Sequence, residues 1–265
     1  LSAVIRGPRL WLPNIGASPE PPVQFTTDVQ ALVHVVDTIG LVEQTALHVN
    51  LNRDIATEIQ PADPTARLAR LFGNALVAID ANGAGTVFLV VSRGGNYVMR
   101  ASADANGRLS LGGPNAVRFQ TGNLPNGVVM SQDARRAYAN NEANVSITAM
   151  DLVTNTVLTR DIPAGEPPTP GTFAHAVLLG KLAFFTALGL PDHGIFGTPI
   201  RDIVPLASRG KASNNAWSSC ASCHPDGLSD GVTWILPAGP RQTLPLDAFF
   251  AKDHPDDQKI VLWSA

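Results

Sequence analysis

A unit of four short strand-like runs recurs along this chain, and it constrains the possible folds more than any other feature. Two copies are complete, and their runs are residues 74–80, 86–92, 96–102 and 108–111, then 127–131, 136–140, 145–152 and 156–162. Turn signals separate the runs; one of them, Asp104-Ala-Asn-Gly107, is typical of β-hairpins. Each copy therefore predicts one antiparallel sheet of four strands.

Incomplete copies precede and follow these two. The N-terminal part has strand-like runs at residues 9–12, 29–37 and 46–52. A further copy is predicted over residues 173–190, where Gly180 and Lys181 interrupt an apolar run. That interruption favours two buried strands joined by a tight turn.

The length of the repeat indicates one architecture. The second strands of three copies lie near Leu89, Tyr138 and Phe184, so the unit recurs after 49 and then 46 residues. A four-strand unit with a period of roughly 40–50 residues is the signature of a β-propeller. A β-sandwich with accidentally similar spacing is the alternative. The sequence thus predicts a mainly β fold built of propeller blades over residues 1–190.

One copy resembles a known repeat. Residues 131–141 (SQDARRAYANN), followed by Val145-Ser-Ile and Asp151-Leu152, resemble the YVTN-type propeller repeat, Ser-x-Asp-Gly-x-x-x-Tyr-Val-x-Asn and then a Val-Ser-Val-Ile-Asp strand. Ala134 and Ala139 stand where that repeat usually has Gly and Val. By extension the resemblance covers about residues 70–190, and it implies a closed ring of blades.

The number of copies is smaller than a closed ring needs. The sequence contains two complete copies and about two partial ones, whereas rings of the YVTN type close with about seven blades. An open ring exposes the unpaired backbone groups of its edge strands. We therefore expect another chain, or further polypeptide, to complete the propeller.

Composition narrows the possible partners. The formal net charge is -3 and charged residues make up 15% of the chain, which excludes a broad basic surface for nucleic acid. Hydrophobic residues make up 45%, enough to bury a sizeable core. No segment predicts a membrane span.

Both cysteines of the chain lie in Cys220-Ala-Ser-Cys223-His224, the signal for covalent attachment of a c-type haem. Two thiols at this spacing can each add to one vinyl group of the same porphyrin, and the following histidine can supply an axial nitrogen to the iron. A structural zinc site would want a second cysteine pair. A thioredoxin-like site would want a βαβ setting, and a disulfide across two residues would be strained.

The flanking residues sharpen this prediction. Residues 210–265 resemble the haem segments of cytochrome c peroxidase/MauG-like proteins, with the loop Pro225-Asp-Gly-Leu-Ser-Asp-Gly231, a tryptophan, and Gly239-Pro-Arg-Gln-Thr243. The resemblance implies one covalent haem c in a loop and α segment over residues 191–265. It also implies roles for five residues: thioether bonds at Cys220 and Cys223, proximal iron ligation by His224, a haem-edge contact by Trp234, and a propionate or iron-pocket contact by Arg241. The alternatives are a core position for Trp234 and a surface ion pair for Arg241.

The second axial ligand is less constrained by the sequence. His254 is the nearest downstream candidate, although Asp253-His254-Pro255 also resembles an exposed turn. His193 is another candidate, in the loop that enters the haem segment. His34 and His175 interrupt strand patterns and are predicted to be sheet residues, and the methionines are predicted to fill blade cores.

Three aspartates near the haem motif raise the question of a calcium site. Asp192, Asp226 and Asp230 lie in glycine-rich loops, where carboxylates can bind calcium. Aspartate before glycine is also ordinary turn chemistry, which is the interpretation that we favour.

The motifs together predict a c-type haem protein that transfers electrons to a redox partner protein. The propeller would be a scaffold or a partner-binding surface. The resemblance to c-type cytochromes implies a location in the bacterial periplasm or on the cell surface. One alternative is a peroxidase/MauG-like haem oxidoreductase, which normally needs a second haem and an open iron site. Another is a surface binding scaffold with an accessory haem.

Overall fold

The computed structural model describes residues 2–21, 28–63 and 67–246, and β-strands dominate these ranges. The strands are β1 (Val4–Arg6), β2 (Arg9–Ala17), β3 (Val29–Asp37), β4 (Val42–Glu43), β5 (Val49–Asn50), β6 (Leu76–Ala81), β7 (Val87–Ser92), β8 (Tyr97–Ala103), β9 (Leu109–Ser110), β10 (Val117–Gln120), β11 (Pro125–Met130), β12 (Arg136–Asn141), β13 (Ser146–Asp151), β14 (Thr156–Pro163), β15 (Thr233–Leu236) and β16 (Gly239–Gln242). The α-helices are α1 (Leu51–Ala56), α2 (Phe173–Phe185) and α3 (Cys220–Cys223). Single-turn 3-10 helices span Thr45–Leu47, Gly113–Asn115, Ile195–Gly197, Ile200–Asp202, Pro205–Ser208, Asn214–Ala216 and Pro225–Gly227.

Three antiparallel sheets of four or five strands follow one another along the described ranges. The first has the order β1-β2-β3-β4, with β5 also paired to β3. The second has the order β10-β8-β7-β6, with β9 also paired to β8, and the third has the order β11-β12-β13-β14. This up-and-down order is that of propeller blades. The second and third sheets are the two complete copies predicted from the sequence, so the mainly β, blade-type fold is confirmed.

The sheets lie side by side with their first strands adjacent. The Ser2 amide donates to the Val77 carbonyl over 3.1 Å, and the Ile79 amide donates to the Ser2 hydroxyl over 3.0 Å. At the next junction the Met130 amide donates to Asp80 Oδ2 over 2.8 Å. Strand β1 thus borders β6, and β6 borders β11, which is how consecutive blades follow one another around a propeller axis.

Apolar side chains fill the space between neighbouring sheets. One buried cluster joins the first sheet to the second and includes Met99 together with Trp11 and Phe88, whose ring centroids lie 4.9 Å apart. A second cluster joins the second sheet to the third and includes Met130 and Met150. The methionines therefore lie in blade cores, as the sequence predicted.

The N-terminal copy is only partly as predicted. Strands β2 and β3 confirm the first two runs, but the third run, residues 46–52, contains only the two-residue strand β5. The side chain of Asn50 accepts a hydrogen bond from the Asn52 amide over 3.1 Å and so begins helix α1. This cap, rather than a continued ladder, ends the strand.

The prediction of two strands in the segment from residue 173 is wrong, because this segment forms helix α2. The Thr172 hydroxyl begins the helix by accepting a hydrogen bond from the His175 amide over 3.2 Å. Gly180 lies inside the helix, where a glycine costs only about 1 kcal/mol relative to alanine. Apolar residues occur on every side of α2, so hydrophobic periodicity could not distinguish a helix from buried strands.

The buried face of α2 packs against the segment that precedes the haem motif. Leu179 and Leu182 lie in one cluster with Ile200 and Ile203. Ile200 begins a 3-10 turn, and Ile203 follows it. This packing supplies the burial that stabilises a helix of 13 residues. Among the residues that the structure describes, no helix is long and apolar enough to cross a membrane.

A buried ion pair ties the segment after α1 to the outer strand of the second sheet. The Arg118 guanidinium donates to the Glu58 carboxylate, and the two side chains are 3% and 4% exposed. The other Glu58 oxygen accepts from the Arg70 amide over 2.6 Å, and Arg118 Nη1 donates to the Leu68 carbonyl over 2.6 Å. The partners named here, Arg70 and Leu68, belong to the connection between the first two blades.

Candidate cofactor-attachment site

Helix α3 holds both cysteines of the haem motif on one turn. Ser219 caps it: the Ser219 amide donates to the Ser222 hydroxyl over 3.0 Å in a capping box. The His224 amide closes the turn on the Cys220 carbonyl over 3.0 Å. Residues three apart lie on the same face of a helix. The two thiols, which are free, therefore share one face and His224 follows directly.

A buried asparagine from the second blade holds this helix in place. Asn74, which lies just before β6 and is 1% exposed, donates from Nδ2 to the Trp217 carbonyl over 3.0 Å and to the Ser222 hydroxyl over 2.9 Å. Its Oδ1 accepts from the Ser219 hydroxyl over 3.2 Å. A Cβ at Gly94 would overlap the Asn74 side chain, so a glycine is needed there. The sequence analysis missed Asn74, although an amide inside an apolar run is the kind of signal that could reveal it.

The two cysteines differ in their surroundings. Cys220 is exposed, whereas Cys223 is half-buried. Burial, and after it the nearby carboxylates of Asp230 and Asp28, together raise the pKa of the Cys223 thiol to about 11. Cys223 is therefore a neutral thiol at neutral pH, placed where α3 meets the rest of the protein.

His224 is half-buried at the C-terminal end of α3. Its Nδ1 is buried and has no hydrogen-bond partner among the described residues. No group in this part of the chain therefore fixes the tautomer of the ring through Nδ1. A ligand that binds the His224 imidazole would therefore not have to displace a hydrogen bond at Nδ1.

Strands β15 and β16 bring Trp234 and Arg241 together, since the two residues are paired across the hairpin. Trp234 is buried and donates from Nε1 to Asp230 Oδ2 over 2.8 Å. Arg241 is exposed and donates from Nη1 to the Pro240 carbonyl over 3.0 Å. The sequence did not predict this hairpin. After the hairpin the chain returns to the loop that follows α3, where the Leu246 amide donates to the Gly227 carbonyl over 2.6 Å.

A half-buried arginine that carries no sequence signal, Arg93, lies beside the loop after the motif. Arg93 Nη2 is 3.7 Å from Asp226 Oδ1, and the guanidinium carbon lies 4.0 Å from the centroid of the Phe185 ring. Burial lowers the pKa of Arg93, an effect that the Asp226 charge partly opposes. Nε of Arg93 is buried and has no hydrogen-bond partner among the described residues.

The three aspartates considered for calcium are engaged separately. Asp192 pairs with Lys211 over 2.6 Å, Asp226 faces Arg93, and Asp230 accepts from Trp234. Each of the three carboxylates therefore has its own side-chain partner among the described residues.

The candidates for the second axial ligand are dispersed. His254 lies outside the described residues. His193 is exposed in a loop. His175 lies on helix α2, so its prediction as a sheet residue is wrong. Its side chain is fully buried, and its ring centroid lies 6.3 Å from that of Phe196. His34 is a strand residue, as predicted.

Comparison with known proteins reveals similarity at the level of structure. No protein-family model and no curated protein matches the sequence. The chain is similar to a functionally unknown protein from Desulfotomaculum acetoxidans, at 16% identity and a TM-score of 0.39 over 63% of this chain and 43% of that chain. It is also similar to hydrazine synthase of Kuenenia stuttgartiensis, at 15% identity and a TM-score of 0.40 over 57% of this chain and 44% of that chain.

A third similar structure is the β-propeller domain of the Trilobed protease from Pyrococcus furiosus, at 8% identity and a TM-score of 0.31 over 62% of this chain and 42% of that chain. The chain spans less than half the length of each of these three proteins. The assignment of blades rests on the strand order described above.

The cysteines are expected to differ in reactivity in the haem-free protein. At pH 8, a thiol with a pKa of about 11 is ionised to only ~0.1%, and the thiolate is the nucleophile, so Cys223 should react slowly with iodoacetamide. The exposed Cys220 should react at least ~10-fold faster. Single variants Cys220→Ser and Cys223→Ser, each followed by mass spectrometry, isolate the two rates. Equal rates in the folded protein would contradict the burial of Cys223, and denaturant should equalise them.

Proposed function

We propose that this protein is a c-type haem protein that transfers electrons outside the cytoplasm, with its propeller blades as the scaffold. The observation that carries the proposal is the pair of free thiols on one turn of α3, followed directly by His224. A bound haem supplies a one-electron iron couple. A single attachment motif in the sequence favours a carrier over a peroxidase-type enzyme, which normally works with two haems.

The residues present fit the group. The thiols of Cys220 and Cys223 share a helix face, and the first is open to solvent while the second lies at the boundary of the protein interior. His224 offers an imidazole whose buried Nδ1 has no bond within the described residues. These observations support attachment at one face of α3, with His224 as the axial ligand.

Neighbouring residues would orient this site. Asn74 binds both the Ser219 cap and the Ser222 hydroxyl, so it holds the thiols at a fixed distance from the second blade. Arg93 adds a half-buried positive charge beside the loop that follows α3, and its Nε is without a partner in the described ranges. Charge-assisted hydrogen bonds from guanidinium to carboxylate are strong. Arg93 therefore joins Arg241 as a candidate partner for a haem propionate, with the advantage of lower exposure.

The proposed location follows from the attachment chemistry. In bacteria, thioether attachment of this type takes place after export, as the resemblance to c-type cytochromes implies. We therefore place the working protein in the periplasm or on the cell surface. Its electron donor or acceptor would be a redox protein that approaches the exposed Cys220 side of α3, and further polypeptide would complete the ring of blades.

The test is the mass of the denatured chain. The protein should be produced in the periplasm of a bacterium that expresses a c-type haem attachment system, then denatured and measured by intact mass spectrometry. We expect the mass of the chain plus one haem, because thioether bonds survive denaturation. A chain with the bare polypeptide mass under these conditions would refute the proposal.

A further inference from the structure

Three potential metal ligands converge on the first sheet, away from the haem motif. His34 Nδ1 lies 3.2 Å from Glu43 Oε1, and His48 Nε2 lies 3.4 Å from the same oxygen. The two imidazole rings are 4.5 Å apart between centroids. One ligand atom from each residue lies within 4.8 Å of the other two.

Strand register explains why these residues meet. On the β3–β5 ladder Leu32 pairs with Asn50 and Val33 with Val49, so the next position sets His34 opposite His48. On the β3–β4 ladder Val36 pairs with Glu43. His34 and Val36 lie on the same face of β3, since side chains alternate along a strand. Glu43 is therefore the diagonal neighbour of His34.

A single turn of 3-10 helix makes the arrangement possible. Strand β4 ends at Glu43, and the amide of the next residue, Gln44, still donates to the Val35 carbonyl over 2.8 Å. Thr45–Leu47 then leaves the sheet, and the chain returns at His48. Both Glu43 and His48 thus approach His34 from the same edge.

The distances fit a metal ion. Metal–nitrogen and metal–oxygen bonds of about 2.0–2.2 Å place tetrahedral ligand atoms about 3.4 Å apart. The two separations to Glu43 Oε1 have this value to within a few tenths of an ångström, and the two histidine nitrogens lie within 4.8 Å of each other. His48 Nε2 is buried and makes no hydrogen bond to any described residue, although it is close to the carboxylate. A hydrogen bond to Glu43 would satisfy only His48 Nε2. A metal ion bound between His34, Glu43 and His48 would give a partner to all three side chains.

We propose that His34, Glu43 and His48 bind a divalent transition metal, with zinc as the expected ion. Two imidazoles and one carboxylate are a zinc donor set that leaves a fourth position for water or a small ligand. An open groove of about 320 Å³ adjoins His34 and Glu43, and it is otherwise lined by Ser2, Leu12, Asn14 and Val36 among others. The fourth position can thus be reached from solvent.

The test is zinc binding in a background that has no thiols. Cys220→Ser and Cys223→Ser are combined first, so that the haem motif cannot bind zinc and the result is independent of haem attachment. Isothermal titration with zinc chloride should show one site per chain. Cobalt(II) should give the intense visible absorption of a tetrahedral site, which surface binding does not give.

Ligand variants decide the assignment. Glu43→Gln, His34→Gln and His48→Gln should each weaken zinc binding at least ~10-fold, since even the loss of a residue that only hydrogen-bonds a metal ligand costs this much. The matched control is His193→Gln, which removes an exposed loop histidine and should leave the affinity unchanged. Glu43→Gln keeps the shape of an exposed side chain, so its circular dichroism should match that of the parent. No stoichiometric binding by the parent, or equal affinities for all variants, would overturn the proposal.

Discussion

If the proposed haem attachment is correct, replacing Cys220 and Cys223 together with serine is expected to abolish covalent haem retention completely. Each thioether needs one thiol, and the chain contains no other cysteine. The measurement is intact mass after denaturation, with the parent chain produced in the same strain. Each single variant should keep at most one thioether, with lower yield and an altered absorption spectrum of the reduced haem.

The variant His224→Ala tests iron ligation independently of covalent attachment through the cysteines. This variant keeps both thiols on α3, so covalent haem should persist in part, but the parent's iron coordination should be lost from the absorption spectrum. His48→Ala, which changes a first-sheet histidine that is not an axial candidate, is the matched control and should leave spectrum and yield unchanged. A parent-like spectrum in His224→Ala would contradict the role of His224 as proximal ligand.

Arg118→Ala is expected to lower the free energy of unfolding by about 3–5 kcal/mol, because it leaves the Glu58 carboxylate buried without its cation. The two side chains are 3% and 4% exposed, so in the parent protein each charge depends on its partner rather than on solvent. The measurement is the denaturant midpoint of the haem-free protein, which keeps the result independent of the cofactor. The variant also loses the hydrogen bond from Arg118 to the Leu68 carbonyl.

Two further variants test that explanation. Arg108→Ala removes an exposed arginine of the same blade and should change stability by less than about 0.5 kcal/mol. The double variant Glu58→Ala/Arg118→Ala should lose less than the sum of the two single changes, because no charge is left uncompensated. If the two single losses of stability simply add, Glu58 and Arg118 stabilise the fold independently, through packing alone.

Local signals predicted the blades well. Around Tyr138, apolar residues alternate with polar ones between clear turns, and the structure has strand β12 there. Around Phe184 the run is apolar on every side, and the same reasoning predicted a strand where α2 forms. The difference is that alternation is absent from the second segment, so the contacts of Leu179 and Leu182 with Ile200 and Ile203 decided the outcome.

The candidate site was predictable only in part. The spacing of Cys220, Cys223 and His224 is a chemical requirement of attachment and is visible in any sequence. Asn74 and Arg93 are distant along the chain from the motif and carry no local signature of it. Both residues belong to the second blade. They contact α3 and the loop after it because this blade packs against that part of the chain.

The sequence by itself determined the two complete four-strand units and the spacing of the Cys220–His224 motif, because turn residues, alternation and a fixed cysteine spacing act over a few neighbouring residues. The tertiary structure alone decided which distant side chains meet. His34 appeared in the sequence as an ordinary strand residue, and Glu43 and His48 carried no signal. Ladder register and one 3-10 turn bring the three together at 3.2 and 3.4 Å, since pairing between strands depends on the whole sheet.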